Sequence, residues 1–289
     1  MSGMLVLCAT PIGNLEDITF RVIYTLENAD LIAAEDTRNS IKLLNHYNIK
    51  TPMTSYHEHN KHEKGIQLIE KMKKGQTIAL ISDAGTPGIS DPGEELVMWC
   101  YQEGIKVTSL PGPCACITAL SMSGQSTKRF VFEGFLPTKK KERQERLKML
   151  KNETRTVVVY EAPHRLVKTL KELREVCGNR ELSVCREITK RYEVVVKERL
   201  EEVISYFEEK PPKGECVVVM AGQEPEIMQQ EEQARWRETS LEDHMELCFL
   251  EGMDRKEAMK KVAKERGIPK REVYQQLINR TDPTPVSKT

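Results

Sequence analysis

Thr77-Ile78-Ala79-Leu80-Ile81-Ser82-Asp83-Ala84-Gly85-Thr86-Pro87-Gly88-Ile89-Ser90-Asp91-Pro92-Gly93 decides the fold. Its first five residues are an apolar run with the length of a buried strand. Residues 94–101 then carry the apolar spacing of a helix. A strand that breaks into Gly, Pro, Ser and Asp before a helix is a corner at the carboxyl edge of a sheet, where open α/β folds bind ligands. Ordinary strand-to-helix corners need only a few residues. This one is longer, with three glycines that let a ligand approach the backbone and two prolines that stiffen it beforehand. It reads as a binding loop.

The same alternation extends outward. Residues 5–9, 30–34, 53–56 and 106–110 read as further strands, and 18–26, 41–47 and 66–72 as helices. Apolar strands alternating with helices specify a mostly parallel sheet covered on both faces. This gives a first α/β domain over residues 1–124, ending at the hinge-like Ser123-Gly124-Gln125-Ser126-Thr127. Strand signals dominate the next stretch, at 130–135, 156–160, 182–185, 192–196 and 216–220, with helices at 139–151 and 165–176. They predict a second α/β domain over 125–222 with more antiparallel character. Residues 223–238 read as a polar Glu/Gln-rich linker and 239–280 as a small helical unit. The Pro-containing tail, 281–289, reads as disordered.

Composition narrows the class. At 39% hydrophobic residues and a mean hydropathy of −0.51, the 289-residue chain can fill cores yet is expected to be soluble. No apolar run approaches the roughly 20 residues of a spanning helix, and the first residues lack the basic start and cleavage site of a signal peptide. The eight cysteines are scattered without a Cys-x-x-Cys pair, so disulfides are not expected and a reducing cytoplasm is. Formal net charge is +0, against a protein that binds nucleic acid by global charge. The charge is uneven, however. Lys139, Lys140, Lys141, Arg143, Arg146, Lys148 and Lys151 crowd one segment, and a second basic group runs from Arg255 to Arg271. Each is either a solvated helix face or a surface for a polyanionic partner.

Five loops fall at carboxyl ends of strands, at 10–14, 35–38, 82–93, 111–114 and 160–165. The first lacks the Gly-x-Gly-x-x-Gly of a dinucleotide site, and no P-loop is present. What remains is a small ligand held by backbone groups and a few polar side chains. Cys114-x-Cys116 is too close for a standard zinc pair. The His57-Glu58-His59-Asn60 run reads as a polar cleft loop, with no metal expected. Residues 255–274 read as helix, Gly267 turn, helix, either a helix-turn-helix or a three-helix packing module.

Several of these stretches carry a resemblance. Ala9-Thr10-Pro11-Ile12-Gly13-Asn14-Leu15, Ala34-Glu35-Asp36-Thr37-Arg38, Tyr56-His57-Glu58-His59-Asn60, residues 82–93 and Leu110-Pro111-Gly112-Pro113 are five of them. Tyr160-Glu161-Ala162-Pro163-His164-Arg165, Arg186-Glu187-Ile188-Thr189-Lys190 and Lys213-Gly214-Glu215 complete the set. In this order they resemble the 2′-O-ribose methyltransferases of small-subunit ribosomal RNA, within the tetrapyrrole methylase superfamily, over about residues 4–222. The resemblance implies a class III methyltransferase fold, two α/β domains with a ligand cleft between them, as a homodimer. It implies S-adenosylmethionine as cofactor and a cytidine ribose in the decoding region of 16S rRNA as substrate; between naked rRNA and the assembled 30S subunit, the neutral overall charge leans towards the subunit. Cofactor contacts are then expected from Thr10, Pro11, Gly13, Asn14, Ser82, Asp83, Ala84, Gly85, Thr86, Pro87, Ile89 and Ser90. Pro111, Gly112, Pro113, Tyr160, Glu161, Ala162, Gly214 and Glu215 are expected to add to them.

A ribose hydroxyl is a weak acid, so a base helps. Asp36, Glu35, His57, Glu58 and His59 are candidates, with Arg38 and Arg165 as phosphate or ribose contacts. Asp36 is the working hypothesis because it ends the second strand, and helix capping is the competing role for its carboxylate. RNA contacts are expected from His57, His59, Lys139, Lys140, Lys141, Arg143, His164 and Arg165. Lys260, Lys261, Lys270 and Arg271 are expected to add phosphate contacts from the helical unit. Two other readings remain: a tetrapyrrole C-methyltransferase on the same fold, disfavoured by two distant basic segments, and a ligand-sensing DNA-binding regulator, disfavoured by the intact cleft loops.

Overall fold

Five parallel strands form the first sheet: β1 (Met4–Cys8), β2 (Leu31–Ala34), β3 (Met53–Ser55), β4 (Thr77–Ile81) and β5 (Lys106–Leu110), in the order β3-β2-β4-β1-β5. This computed structural model describes residues 3–279. The tail read as disordered, 281–289, lies outside the described residues. The sheet is covered on both faces by α1 (Phe20–Asn28), α2 (Thr37–His46), α3 (Lys61–Lys73) and α4 (Gly93–Gln102). One core joins Val6, Ile32 and Ala79 to Val22, Leu26 and Leu44, and the other joins Leu5, Ile78 and Leu80 to Leu68, Met72 and Leu96. Burial on both faces is why β4 reads as an unbroken apolar run rather than an alternating one. Helix α1 starts at Phe20, two residues later than its apolar spacing places it, because the Thr19 side chain accepts the Val22 N–H and caps it there.

The helix α5 (Ala115–Met122) belongs to the first domain by sequence but packs elsewhere. Its Cys116, Ala119 and Leu120 lie against Val158, Cys185, Val217 and Val219 of the second sheet. That sheet holds β6 (Phe130–Phe135), β7 (Thr156–Glu161), β8 (Glu181–Arg186), β9 (Val194–Arg199) and β10 (Cys216–Met220), ordered β6-β7-β10-β8-β9. Only β6 and β7 pair in parallel. Its other face carries α6 (Lys140–Lys151), α7 (Pro163–Cys177) and α8 (Leu200–Glu209) over a core of Leu147, Leu150, Leu166, Leu170, Val203 and Phe207. A helix donated across the boundary makes residues up to Gly222 one compact unit.

From Gln223 onward the chain forms a second unit. The stretch read as a polar linker is helical over α9 (Pro225–Arg237). Pro225 presets the first turn and the Glu, Gln, Ala and Arg residues that follow are strong helix formers, so propensity and not an apolar stripe drives it. The other helices are α10 (Leu241–Leu250), α11 (Arg255–Arg266) and α12 (Lys270–Asn279). Leu241, Met245, Cys248, Ala258, Val262 and Val273 form their core. Asp254 and Glu257 close a reciprocal capping box at the start of α11, and Gly267 ends it in the left-handed conformation, at φ +65°.

Candidate cofactor cavity between the two sheets

A cavity of about 450 Å³ opens where the carboxyl-end loops of the first sheet meet the second sheet. Ligand pockets span roughly 300–1,000 Å³. The loop after β4 supplies Ser82, Asp83, Ala84, Gly85, Thr86, Ile89, Ser90 and Asp91. Glu35 enters from the end of β2, and Tyr160, Gly214 and Glu215 from the second sheet, all four anticipated from sequence. Cys216 and Val217 of the strand that follows Glu215 continue this side, and Ile12, Cys114, Ala115, Phe135, Glu187, Ile188 and Lys190, which were not anticipated, complete the lining. The signal for three of them stood in the Arg186–Lys190 stretch. Nothing in a polar loop after a strand shows which sheet edge it will face.

Residues expected to touch the cofactor also build the frame of the cavity. Thr10 pairs with Gly85 through two backbone hydrogen bonds of 2.9 and 3.0 Å, and its hydroxyl donates to Ser82 O at 3.2 Å. Thr86 Oγ1 donates to Pro113 O at 2.9 Å. Asn14 caps the short turn at Leu15–Asp17. A Cβ on Gly13 would stand 2.7 Å from Lys190 Cγ and one on Gly112 would stand 2.7 Å from Ala9 Cβ, so both glycines are there for close approach. Pro11, Pro87, Pro111 and Ala162 do not line the cavity. Glu161 lies furthest from expectation: it is 0% exposed and faces the helix-covered side of the second sheet, where Thr169 Oγ1 donates to it and Arg143 and Arg165 lie at 3.8 and 3.4 Å. The reason is strand alternation: β7 runs through to Glu161, which puts that side chain on the face opposite Tyr160.

The lining loops are strained. Among the described residues, non-glycine positive φ values occur at Ser90 (+69°), Glu187 (+52°) and Thr189 (+67°) in the cavity loops and at Asn48 away from it. Such conformations cost of order 1–3 kcal/mol each and persist where packing over-determines them. Asp91 does part of this: its carboxylate accepts the Gly88 and Gly93 N–H groups at 2.9 and 2.8 Å, tying the loop into a ring. Ser90 reaches the bulge in β6, where a Cβ on Gly134 would lie 3.2 Å from its Oγ.

Five carboxylates line the cavity (Glu35, Asp83, Asp91, Glu187 and Glu215) against one cation, Lys190, which pairs with Glu187 at 3.0 Å. The Asp83 N–H donates to Glu35 at 3.3 Å, and Asp83 in turn accepts the Asp36 N–H at 3.1 Å. Burial raises the Glu35 pKa above the usual carboxylate value, with the charges of Asp83 and Asp91 adding to it. Burial likewise raises that of Asp91, against its loop hydrogen bonds. Asp36 is the opposite case. It caps α2 by accepting the Arg38 N–H and pairs with the Arg38 guanidinium at 2.7 Å, which lowers its pKa to about 2. Asp36 and Arg38 therefore sit outside the lining, engaged with each other. His57 places a buried Nδ1 without a hydrogen-bond partner among the described residues, near Glu35. Among the described residues no group of three or more His, Cys, Asp or Glu could hold a metal ion.

The expected RNA contacts divide. His59, His164, Lys140, Lys141, Lys260 and Arg271 are exposed, and Lys139 is exposed with a 3.1 Å pair to Glu142. Arg143 is buried and donates to Glu172 and Thr169 at 2.6 Å, so it holds the fold and does not face a partner. Arg165 is half-buried and donates to Leu136 O. In the helical unit Lys261 is held by Glu251 at 2.6 Å, and Lys270 donates to Lys256 O.

Two sheets closing an acidic cavity with Gly/Pro corners define the class. Residues 4–204 match the family Tetrapyrrole (Corrin/Porphyrin) Methylases, and the chain belongs to it. It is a methyltransferase that uses S-adenosylmethionine. Relatives named "Ribosomal RNA small subunit methyltransferase I" include one from Synechocystis sp., 48% identical over 94% of this chain and 96% of its own length. Another, from Bacillus subtilis, is 48% identical over 94% and 93%. A third, from Thermotoga maritima, is 46% identical and is matched over 100% of its length by 77% of this chain. Among solved structures, a diphthine synthase superposes with a TM-score of 0.59 over 76% of this chain and 90% of its own, at 14% identity. The uroporphyrin-III C-methyltransferase of Thermus thermophilus complexed with S-adenosylhomocysteine gives 0.55 over 76% and 97%, at 19% identity. These two share the fold.

Proposed function

We propose that this chain methylates small-subunit ribosomal RNA, transferring the methyl group of S-adenosylmethionine to the 2′-hydroxyl of a cytidine ribose in the decoding region. The reading is supported above all by one observation: a cavity lined by five carboxylates and a single cation, which favours a cationic ligand, in a chain whose relatives over nearly its full length carry an rRNA methyltransferase name. Bound there, S-adenosylmethionine supplies a methyl group on a positively charged sulfur, transferred by in-line displacement. The strained, ring-tied loop at 82–93 holds its partners in place before binding, and alignment of this kind is worth about 7–11 kcal/mol in favourable cases.

Glu35 is the proposed general base. It lines the cavity, its carboxylate is half-buried and its pKa is raised, which makes it a better proton acceptor than an ordinary carboxylate. Asp36, the first choice on sequence grounds, is worse on each count: its oxygens are already engaged and its basicity is lowered. The acidic interior repels phosphates, so RNA reaches it with its sugar while exposed cations such as Lys139, Lys140 and Lys141 engage the flanking backbone. We further propose a homodimer acting on an assembled 30S subunit in the cytoplasm. The eight cysteines, all free, fit a reducing compartment. No helix among the described residues is long and apolar enough to cross a membrane. Incubation with labelled S-adenosylmethionine and either 30S subunits, bare 16S rRNA or a precorrin tests the reading. Label in subunit RNA supports it, and label in the precorrin alone overturns it.

A further inference from the structure

A second, smaller concavity of about 260 Å³ lies at the other end of the second sheet, and its chemistry is the reverse of the first. Ser126, Lys128, Arg129, Thr154, Arg155 and Gly222 are among its lining residues. Three cations converge there without a carboxylate in the lining. Arg155 is balanced by Glu153 at 2.7 Å, whose pKa its guanidinium lowers to about 2. Lys128 and Arg129 have no ion pair or side-chain hydrogen bond among the described residues, and both are exposed. Like charges with no counter-charge repel, so crowding them at one hollow is unfavourable for the protein alone.

The walls are fixed by backbone. The Thr156 N–H donates to Arg129 O at 3.3 Å, and Thr156 Oγ1 donates to Ser126 O at 2.7 Å, which anchors both ends of the cationic run. A Cβ at Gly222 would lie 2.0 Å from Thr154 O, so only glycine lets the chain leaving β10 close the floor. Phe130, the residue after Arg129 and in register with Thr156 of the lining, is 37% exposed. Cations around a polar hollow with an exposed aromatic beside them suit a phosphate group that carries a base.

We propose that this hollow is a phosphate-binding site, filled by a backbone phosphate of the RNA substrate, with a neighbouring base against Phe130. It rests on the rRNA reading for the identity of that source, and a free phosphate-bearing small molecule is the other source with the same chemistry. The site is remote from methyl transfer. β7 runs from Thr156 in the hollow to Tyr160 in the cofactor cavity, four residue steps or about 13 Å of strand. A contact there fixes the register of the RNA without touching the reacting ribose.

The test compares the full chain with K128A/R129A. Binding of 30S subunits and of a 16S rRNA fragment is measured from 50 to 200 mM salt, S-adenosylmethionine binding by calorimetry, and inorganic phosphate binding by amide chemical shifts around Lys128, Arg129 and Gly222. The expected result is roughly tenfold weaker RNA binding with the salt slope reduced by about one, unchanged cofactor affinity, and phosphate-induced shifts lost in the variant. Phosphate shifts with unaltered RNA binding assign the site to a free phosphate compound. No phosphate shifts together with unaltered RNA binding and slope overturn it. A wild-type chain that methylates no rRNA refutes the functional reading separately, because the phosphate titration still reports on the hollow.

Discussion

Glu35 and Asp36 are neighbours in sequence with opposite fates. One lines the cavity, half-buried near Asp83 and Asp91, and the other is turned out to cap a helix and grip Arg38. Their roles in the reaction separate accordingly. Glu35→Gln is expected to lower kcat by about 10²–10⁴-fold, the usual worth of a positioned base, while calorimetric affinity for the cofactor changes little. Asp36→Asn, which keeps an N-cap-competent side chain, is expected to retain most turnover. A base works ionised, and a raised pKa means Glu35 loses its proton at higher pH than a free carboxyl. The wild-type rate should therefore climb with pH through a value above the ordinary carboxylate range, and Glu35→Gln should abolish that limb. Equal losses for both variants would return Asp36 to the mechanism.

At the scale of elements, the helical unit is pinned by an unusual cluster. His244 on α10 is 1% exposed and stacks on Trp236 of α9 with ring centroids 3.4 Å apart. Arg266 Nε can only donate, so His244 Nδ1 accepts from it at 3.2 Å and Nε2–H donates to Glu265 at 2.7 Å. That arrangement needs a neutral ring. Burial lowers the His244 pKa despite Glu265, and Arg266 and Lys261 lower it further. A depressed folded-state pKa contributes stability that is present above the unfolded value, near 6.5, and lost as pH falls through the folded value. The unit should therefore lose thermal stability on acidification below about pH 6.5, as read by far-UV circular dichroism. His244→Ala should cost about 2–4 kcal/mol and flatten that slope. An unchanged slope in His244→Ala would show that other groups govern it.

The same scale shows what could be read in advance. β1, β4, β7 and β10 are apolar runs whose burial on both sides leaves a plain mark in the sequence. Helix α9 leaves none, because it has no apolar stripe and depends on propensity and the Trp236 stack. The Gly- and Pro-rich corner at 82–93 announced the cavity. Glu161 and Arg143 misled because a charged residue beside a motif, or in a basic run, reads as functional, whereas each is buried against the other and Thr169. The Arg186–Lys190 stretch stood out in the sequence, but a polar loop does not show which sheet edge it will face; contacts such as Gly13 against Lys190 set Glu187, Ile188 and Lys190 at the cavity.

Across the whole molecule, charge is sorted by place although it sums to zero. Carboxylates line the cofactor cavity, while cations are left on α6, at the hollow at the far end of the second sheet, and along α11 and α12. The first unit holds the complete cavity and its own cores, and a relative matched over its whole length by 77% of this chain corresponds in size to such a unit. A chain cut after Gly222 should fold and bind S-adenosylmethionine with near-native affinity, and should bind rRNA more weakly with a shallower salt dependence. Loss of cofactor binding in the cut chain would contradict that division. The central claim is the atom that receives the methyl group. Unmodified 30S subunits, incubated with the chain and S-adenosylmethionine, can be digested to nucleosides and fragments and mapped by mass spectrometry. One new 2′-O-methylcytidine in the decoding region is the expected result; a methyl group on a base atom, or no new methyl group in the RNA, would contradict the account.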